Sequence, residues 1–144
     1  MPLRTRLYSE PDNLFLHEIV LSAARRFPNK VALIDTSCSP PRHILYVEFA
    51  EMLEQTARGL VQAGVSPGDR VAIYLFNSWE FCLAFHAICL AGATPTPLNP
   101  SYREREVRYQ LENSGAVALI SDGKLIAGID LSGLPALKRI YLTR

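Results

Sequence analysis

Net charge is nearly absent from this chain: its 144 residues sum to a formal +1 at pH 7. That excludes an overall basic excess able to hold nucleic acid or an anionic membrane by electrostatics alone. Cysteine is scarce. The three present, an odd number at irregular spacing, do not make a disulfide framework. Reduced thiols in a cytosolic protein are the expectation. Long apolar runs are missing too. The longest, Phe81 to Ala93, is interrupted by His86 and is too short to span a bilayer. The opening "MPLRTRLYSEPDNLF" has two arginines and no apolar stretch behind them, so no secretory signal is expected and the expected compartment is the cytoplasm. Reactive motifs are also lacking. No G-x-G-x-x-G follows a strand, no G-x-x-x-x-G-K-[ST] occurs, and there is no G-x-S-x-G turn. No serine or cysteine triad and no catalytically spaced carboxylate pair can be identified.

What is present is a globular composition, 49% hydrophobic and 20% charged. One domain spanning residues 1–144 is expected, long enough to bury a core without staples. A first helix is capped by Asp12 or Asn13, carries Leu16, Ile19, Val20, Ala23, Ala24 and Phe27 at helical spacing, and stops at Pro28. "KVALID" and "HILY" read as two strands of an antiparallel ribbon around the loop "SCSPPR". A helix from Val47 to Ala63 follows, its stripe made of Val47, Ala50, Leu53, Ala57, Leu60 and Val61, with Gly64 as its left-handed stop.

From Arg70 onward, strands and helices alternate. "RVAIYL" is apolar throughout, as a strand covered on both faces should be. Asn77 and Glu80 form a capping-box pattern for a helix, Trp79 to Leu90, that is apolar nearly all round and should be deeply buried. "ATPTPL" is the next strand. Its prolines, Pro95 and Pro97, place it at the border of a sheet. Ser101 and Glu104 offer a capping box for a charged helix ending at Gly115. "AVALIS" and "KRIYLT" are two more strands, separated by a loop with one short helical turn. The pattern implies an α/β fold: a parallel, Rossmann-like three-layer sheet with helices on both faces, and a short antiparallel ribbon near the N-terminus.

Two clusters invite a chemical reading. Cys82, His86 and Cys89 share one helical face and are metal-ligating types, but a closed site needs a fourth ligand and none is nearby in sequence. Core packing explains them better, and no metal site is assigned. His17 and His43 are isolated and expected at the surface or a strand end. In "REREVRYQLEN", Arg103, Arg105 and Arg108 are offset by Glu104 and Glu106. Mixed signs of this kind indicate a solvated face with internal ion pairs.

Several segments, in order, resemble the beginning of the adenylate-forming (AMP-binding) superfamily, which includes acyl-CoA synthetases, luciferases and peptide-synthetase adenylation domains. Leu45-Tyr46-x-Glu48-Phe49 resembles the first core motif, L-T-Y-x-E-L. Gly68-Asp69-Arg70-Val71-Ala72 resembles G-D-R-V-A, and Asn77-Ser78 the P-N-S turn. Leu90 to Ala93 and Pro97 to Pro100 resemble the second core motif. "REREVRYQLENSGA" is most similar to long-chain fatty acyl-CoA ligases. The resemblance covers roughly residues 14 to 143. Departures occur at Val47, at Phe76 where proline is usual, and at Arg103 where a capping threonine or serine is usual, so that Ser101 could cap instead.

The resemblance implies the N-terminal portion of a ligase that joins a carboxylate to ATP and then passes the acyl group to coenzyme A. ATP, Mg and CoA are the cofactors of the implied full-length enzyme. This chain alone carries none of the family's later elements: the Ser/Thr/Gly-rich phosphate loop, the magnesium-associated glutamate, the ribose-binding aspartate and the C-terminal lysine. It is therefore expected to bind no cofactor by itself and to be inactive, with no catalytic residue assigned. By the same resemblance, Pro100, Ser101 and Lys124 would face CoA, although the basic pair of acetyl-type relatives has no counterpart here. Expected partners are the remainder of the ligase, with fatty acid and CoA in the whole enzyme, and no nucleic acid. A homo-oligomer, or a short non-enzymatic interaction domain of the same family, is the alternative.

Overall fold

The computed structural model describes residues 15–143, whose elements follow from local chemistry. Helix α1 (Leu16–Arg26) starts after Phe15, which supplies no side-chain cap. The expected caps, Asp12 and Asn13, lie outside the described residues. Strands β1 (Val31–Asp35) and β2 (Arg42–Leu45) pair antiparallel. The next helix, α2 (Tyr46–Gln62), begins where the Glu48 carboxylate accepts the Leu45 N–H at 2.8 Å. Its buried stripe is Phe49, Leu53, Ala57 and Leu60. This corrects the expected stripe: Val47 and Val61 are 37% and 52% exposed. Steps of three and four from Phe49 stay on the core face, whereas Val47 and Val61 fall to either side of it.

Gly64 ends this segment at φ +90°. A turn follows, in which Asp69 accepts the Ser66 N–H at 2.8 Å and leads into β3 (Arg70–Tyr74). Helix α3 (Trp79–Leu90) is capped by Ser78, whose hydroxyl accepts the Phe81 N–H. The expected cap, Asn77, is one residue early. Only Ala84, Ala87 and Ile88 of α3 are fully buried, and the rest of its apolar surface is half-buried. A helix that packs on α1, α2 and the sheet along one side keeps its remaining circumference within reach of solvent.

After α3 come β4 (Thr94–Pro97), α4 (Glu104–Ser114), β5 (Ala118–Asp122), the short α5 (Gly123–Ile126) and β6 (Arg139–Thr143). Arg103 rather than Ser101 precedes α4, and the Glu106 carboxylate accepts the Arg103 N–H at 3.1 Å. Ser101 is used differently: its N–H bonds to Asn99 Oδ1 at 2.9 Å, a short Asx turn.

The four later strands form one parallel sheet in the order β4-β3-β5-β6. As the prolines imply, β4 lies at an edge. Register shows why they are tolerated. Thr94 and Leu98 donate backbone N–H groups to β3, at Asp69 and Ile73. Alternation aims the nitrogens of residues 95 and 97 at the open edge, where proline forfeits no ladder bond. Side chains divide between two cores. Val71, Ile73, Ala118 and Ile120 meet α2 and α3, while Ala72, Tyr74 and Leu119 meet α4 and the loop before β6. The result is three layers, with the ribbon packed beside α2.

Candidate functional site

In this sheet β3 has β4 on one side and β5 on the other, so winding reverses at β3. The connections leaving these strands diverge there, and such switch points are where open α/β sheets form clefts. A cavity of about 600 Å3 lies at this end. Tyr74 and Phe76 line it from the end of β3, Pro100–Glu104 from the β4–α4 connection, and Lys124, Leu125 and Ala127–Ile129 from the region after β5. The three residues singled out from the sequence, Pro100, Ser101 and Lys124, are thus brought together around one cavity.

Sequence reasoning missed the residue that organises this wall. The Tyr74 side chain is 2% exposed. Its hydroxyl donates to the Tyr102 carbonyl at 2.7 Å and lies 3.5 Å from the Pro100 carbonyl. The backbone carbonyl of Tyr74 accepts the buried Ser121 hydroxyl at 2.8 Å. The chain of contacts therefore runs from β5 through β3 to the β4–α4 connection. A tyrosine ending an otherwise aliphatic buried strand was the available signal, since a buried phenol needs an acceptor. On the opposite wall, Asp122 accepts the Lys124 N–H at 2.6 Å and fixes the start of α5.

Arg103, Glu104 and Lys124 stand exposed around the cavity. The positive end of the α4 dipole adds to the two cations there. Among the described residues Ser101 has no base in hydrogen-bond contact with its hydroxyl. The arrangement suits holding a polar, anionic group against an apolar floor, and it supplies no nucleophile–base pair.

The Cys82, His86 and Cys89 face does not close into a site. Among the described residues no three His, Cys, Asp or Glu side chains gather closely enough to hold a metal ion. His86 packs edge-on against Phe49 and Phe85, with ring centroids 6.4 and 5.7 Å away. Burial, and secondarily the charge of His17, holds its pKa below the usual histidine range. Burial pushes both thiols up, away from reactive thiolate. His43 is exposed as expected, whereas His17 is half-buried and stacked on Phe15.

The charged helix is also used in an unexpected way. Its one ion pair among the described residues, Arg105–Glu106 at 3.9 Å, is largely solvated and contributes little. Arg108 instead donates to the carbonyls of Asp130 and Ser132, pinning the loop before β6. A second hollow of about 500 Å3 lies among α1, α2 and α3, with apolar walls and the Glu54–Arg58 pair at its rim.

The model of the family described as "AMP-binding enzyme" matches residues 20–142. A 3-[(3aS,4S,7aS)-7a-methyl-1,5-dioxo-octahydro-1H-inden-4-yl]propanoyl:CoA ligase of Mycobacterium tuberculosis is 35% identical over 121 residues, covering 81% of this chain and 23% of that protein. A salicyl-AMP ligase / salicyl-S-ArCP synthetase of the same organism is 33% identical over 106 residues, covering 73% and 19%. Among solved structures, a long-chain-fatty-acid-CoA ligase from Archaeoglobus fulgidus superimposes with TM-score 0.82 at 24% identity, covering 92% of this chain and 29% of that one. A Mycobacterium tuberculosis fatty acyl CoA synthetase gives TM-score 0.81 at 23% identity, covering 90% and 26%. The chain therefore spans about a quarter or less of the curated relatives it matches.

Proposed function

The chain belongs to the AMP-binding enzyme family, and from that premise we propose that it is the N-terminal scaffold of an ATP-dependent fatty acid–coenzyme A ligase. In the whole enzyme a carboxylate oxygen attacks the α-phosphorus of ATP, releasing pyrophosphate. The coenzyme A thiol then attacks the acyl carbonyl and AMP leaves. The observation that carries the reading is the ordered motif set within residues 20–142. The fatty-acid assignment rests on the likeness of "REREVRYQLENSGA" to long-chain ligases.

The motif residues in this chain are joints of the scaffold. Glu48 caps α2, Ser78 caps α3, Asp69 sets the turn into β3, and Asn99 turns the chain after β4. None forms a triphosphate cradle, and the described residues contain no acidic cluster suited to Mg. Adenylation draws its rate from cations and donors placed around the phosphates, so the isolated chain is inactive in this reading. CoA fits better. Pro100 and Ser101 on one wall and Lys124 on the other would flank its anionic nucleotide end, with Arg103 nearby. The protein works in the cytoplasm in this reading, and among the described residues no helix is long and apolar enough to cross a membrane.

The test is AMP formation from ATP, palmitate and coenzyme A by the purified chain. No turnover above background is expected, and robust fatty-acid-dependent turnover would overturn the scaffold reading. The β6 edge favours a second reading, a non-enzymatic interaction domain. Among the described residues this strand has a neighbour on one side only, and its Ile140 and Leu142 are 43% and 57% exposed. Sedimentation decides that point: a monomer with no affinity for a full-length ligase removes it.

A further inference from the structure

The proposed scaffold role leaves one surface unused. Helix α1 buries Val20 against the core, yet its other flank is apolar too. Phe15, Leu16 and Ile19 are 58%, 53% and 49% exposed. They lie at spacings of three and four and so share a flank. Beyond the helix end, Phe27 is 41% exposed. A surface helix ordinarily turns charge to water on the side away from the core.

Cations collect at this helix end. From Phe15 to Ile34 the chain holds Arg25, Arg26 and Lys30 against one carboxylate, Glu18, which lies in the first turn of α1. The Arg26 guanidinium and Lys30 ammonium stand 5.2 and 4.6 Å from the centre of the Phe27 ring. Among the described residues neither makes an ion pair; those found are Glu54–Arg58 and Arg105–Glu106. On α2, Glu48 is already engaged by the Leu45 N–H. The near-zero charge of the whole chain thus conceals a local positive patch beside exposed aliphatic and aromatic groups.

We propose that this flank of α1, with Arg25, Arg26 and Lys30, docks the protein on an anionic lipid surface. The two halves of the patch match the two halves of such a surface. Apolar side chains from the first turns of α1 enter the headgroup–acyl boundary, while the cations at its C-terminal end meet anionic headgroups. The charged heads of Arg26 and Lys30 lie over the Phe27 ring, a contact that leaves them open to an anionic headgroup on the solvent side. A protein partner would need its own apolar patch to match, whereas the unpaired cations beside the aliphatic flank are already complementary to a bilayer surface.

Co-sedimentation of the 144-residue chain with phosphatidylcholine vesicles, with and without phosphatidylserine, tests this. Binding is expected only with the anionic lipid, and it should fall at high salt. Each cation near the surface contributes roughly fivefold in affinity, so Arg26→Gln/Lys30→Gln should weaken binding by about 25-fold. Ile19→Ser should weaken it as well. Arg105→Gln, a highly exposed cation on α4 across the sheet, should leave it unchanged. All these side chains are exposed, and circular dichroism checks that each variant stays folded. Absence of binding, equal binding to neutral vesicles, an unaffected Arg26→Gln/Lys30→Gln variant, or an equal loss in Arg105→Gln would each overturn the proposal. The assay uses no nucleotide, so its outcome is separate from the ligase reading.

Discussion

The sheet meets its two helical layers by different means. Toward α2 and α3, Val71, Ile73, Ala118 and Ile120 face Leu53, Leu60 and Ile88 with carbon alone. Toward α4, the same strands present Tyr74 and Ser121, whose hydroxyls reach carbonyls of the neighbouring strand and of the β4–α4 connection. The first side gains stability from area removed from water. The second gains less from area, but its hydrogen bonds fix where a connection runs. That connection carries Pro100 and Ser101 and forms a wall of the cavity. Stability and site geometry are thus assigned to opposite faces of one sheet.

The largest effect is expected on the aliphatic side. Leu53 is fully buried at the centre of α2. Leu53→Ala should cost about 2–5 kcal/mol, measured by urea denaturation. A cost under about 1 kcal/mol would mean that this side is loosely packed and the contrast is wrong. Next comes the joint between α3 and β4. Gly92 sits at φ +77°, its carbonyl accepts the Gly68 N–H, and an added Cβ would lie 3.2 Å from Pro67 Cβ. Gly92→Ala therefore combines left-handed strain with a tight contact, for a loss on the order of 1–3 kcal/mol.

A smaller loss is expected on the hydrogen-bonded side. Tyr74→Phe keeps the ring and its packing and removes the donor to the Tyr102 carbonyl. The cost should be about 0.5–1.5 kcal/mol. Hydrogen exchange should rise at Ser101 and Tyr102 and remain unchanged at Leu53. Loosening spread evenly over both faces would remove the division of labour.

Much of this was legible in the sequence, because strand and helix periods are set by which face is buried. The βαβ order, the ribbon, the edge position of β4 and the left-handed Gly64 all follow from local pattern. Caps were less legible. Asn77 and Ser78 are both good capping residues, and geometry alone selects Ser78. Ser101 has the right chemistry for a cap and is instead taken by the Asn99 turn. The α2 stripe was misread at both ends because apolar type does not report which neighbour is present. For the site, Pro100, Ser101 and Lys124 came from resemblance alone, and their meeting at one cavity depends on how β3 and β5 pair. Tyr74 signalled that a buried phenol needs an acceptor, but which acceptor it finds, 28 residues away, depends on the fold.

The subtlest expected difference between the faces is in their response to acid. On the α4 side the buried polar groups are the hydroxyls of Tyr74 and Ser121. On the other side His86 packs against Phe49 and Phe85, with its Nδ1 buried and unbonded. Burial, reinforced by His17, lowers its pKa below the ordinary 6.5. The unfolded chain therefore binds a proton at His86 before the folded chain does. Stability should be undiminished above pH 6.5 and should fall as pH drops from there through the folded-state pKa, then level off. His86→Phe should flatten that slope in denaturation curves across mild acid, while Tyr74→Phe should shift the whole curve and keep its slope. A slope unchanged in His86→Phe would mean that another group controls the acid response.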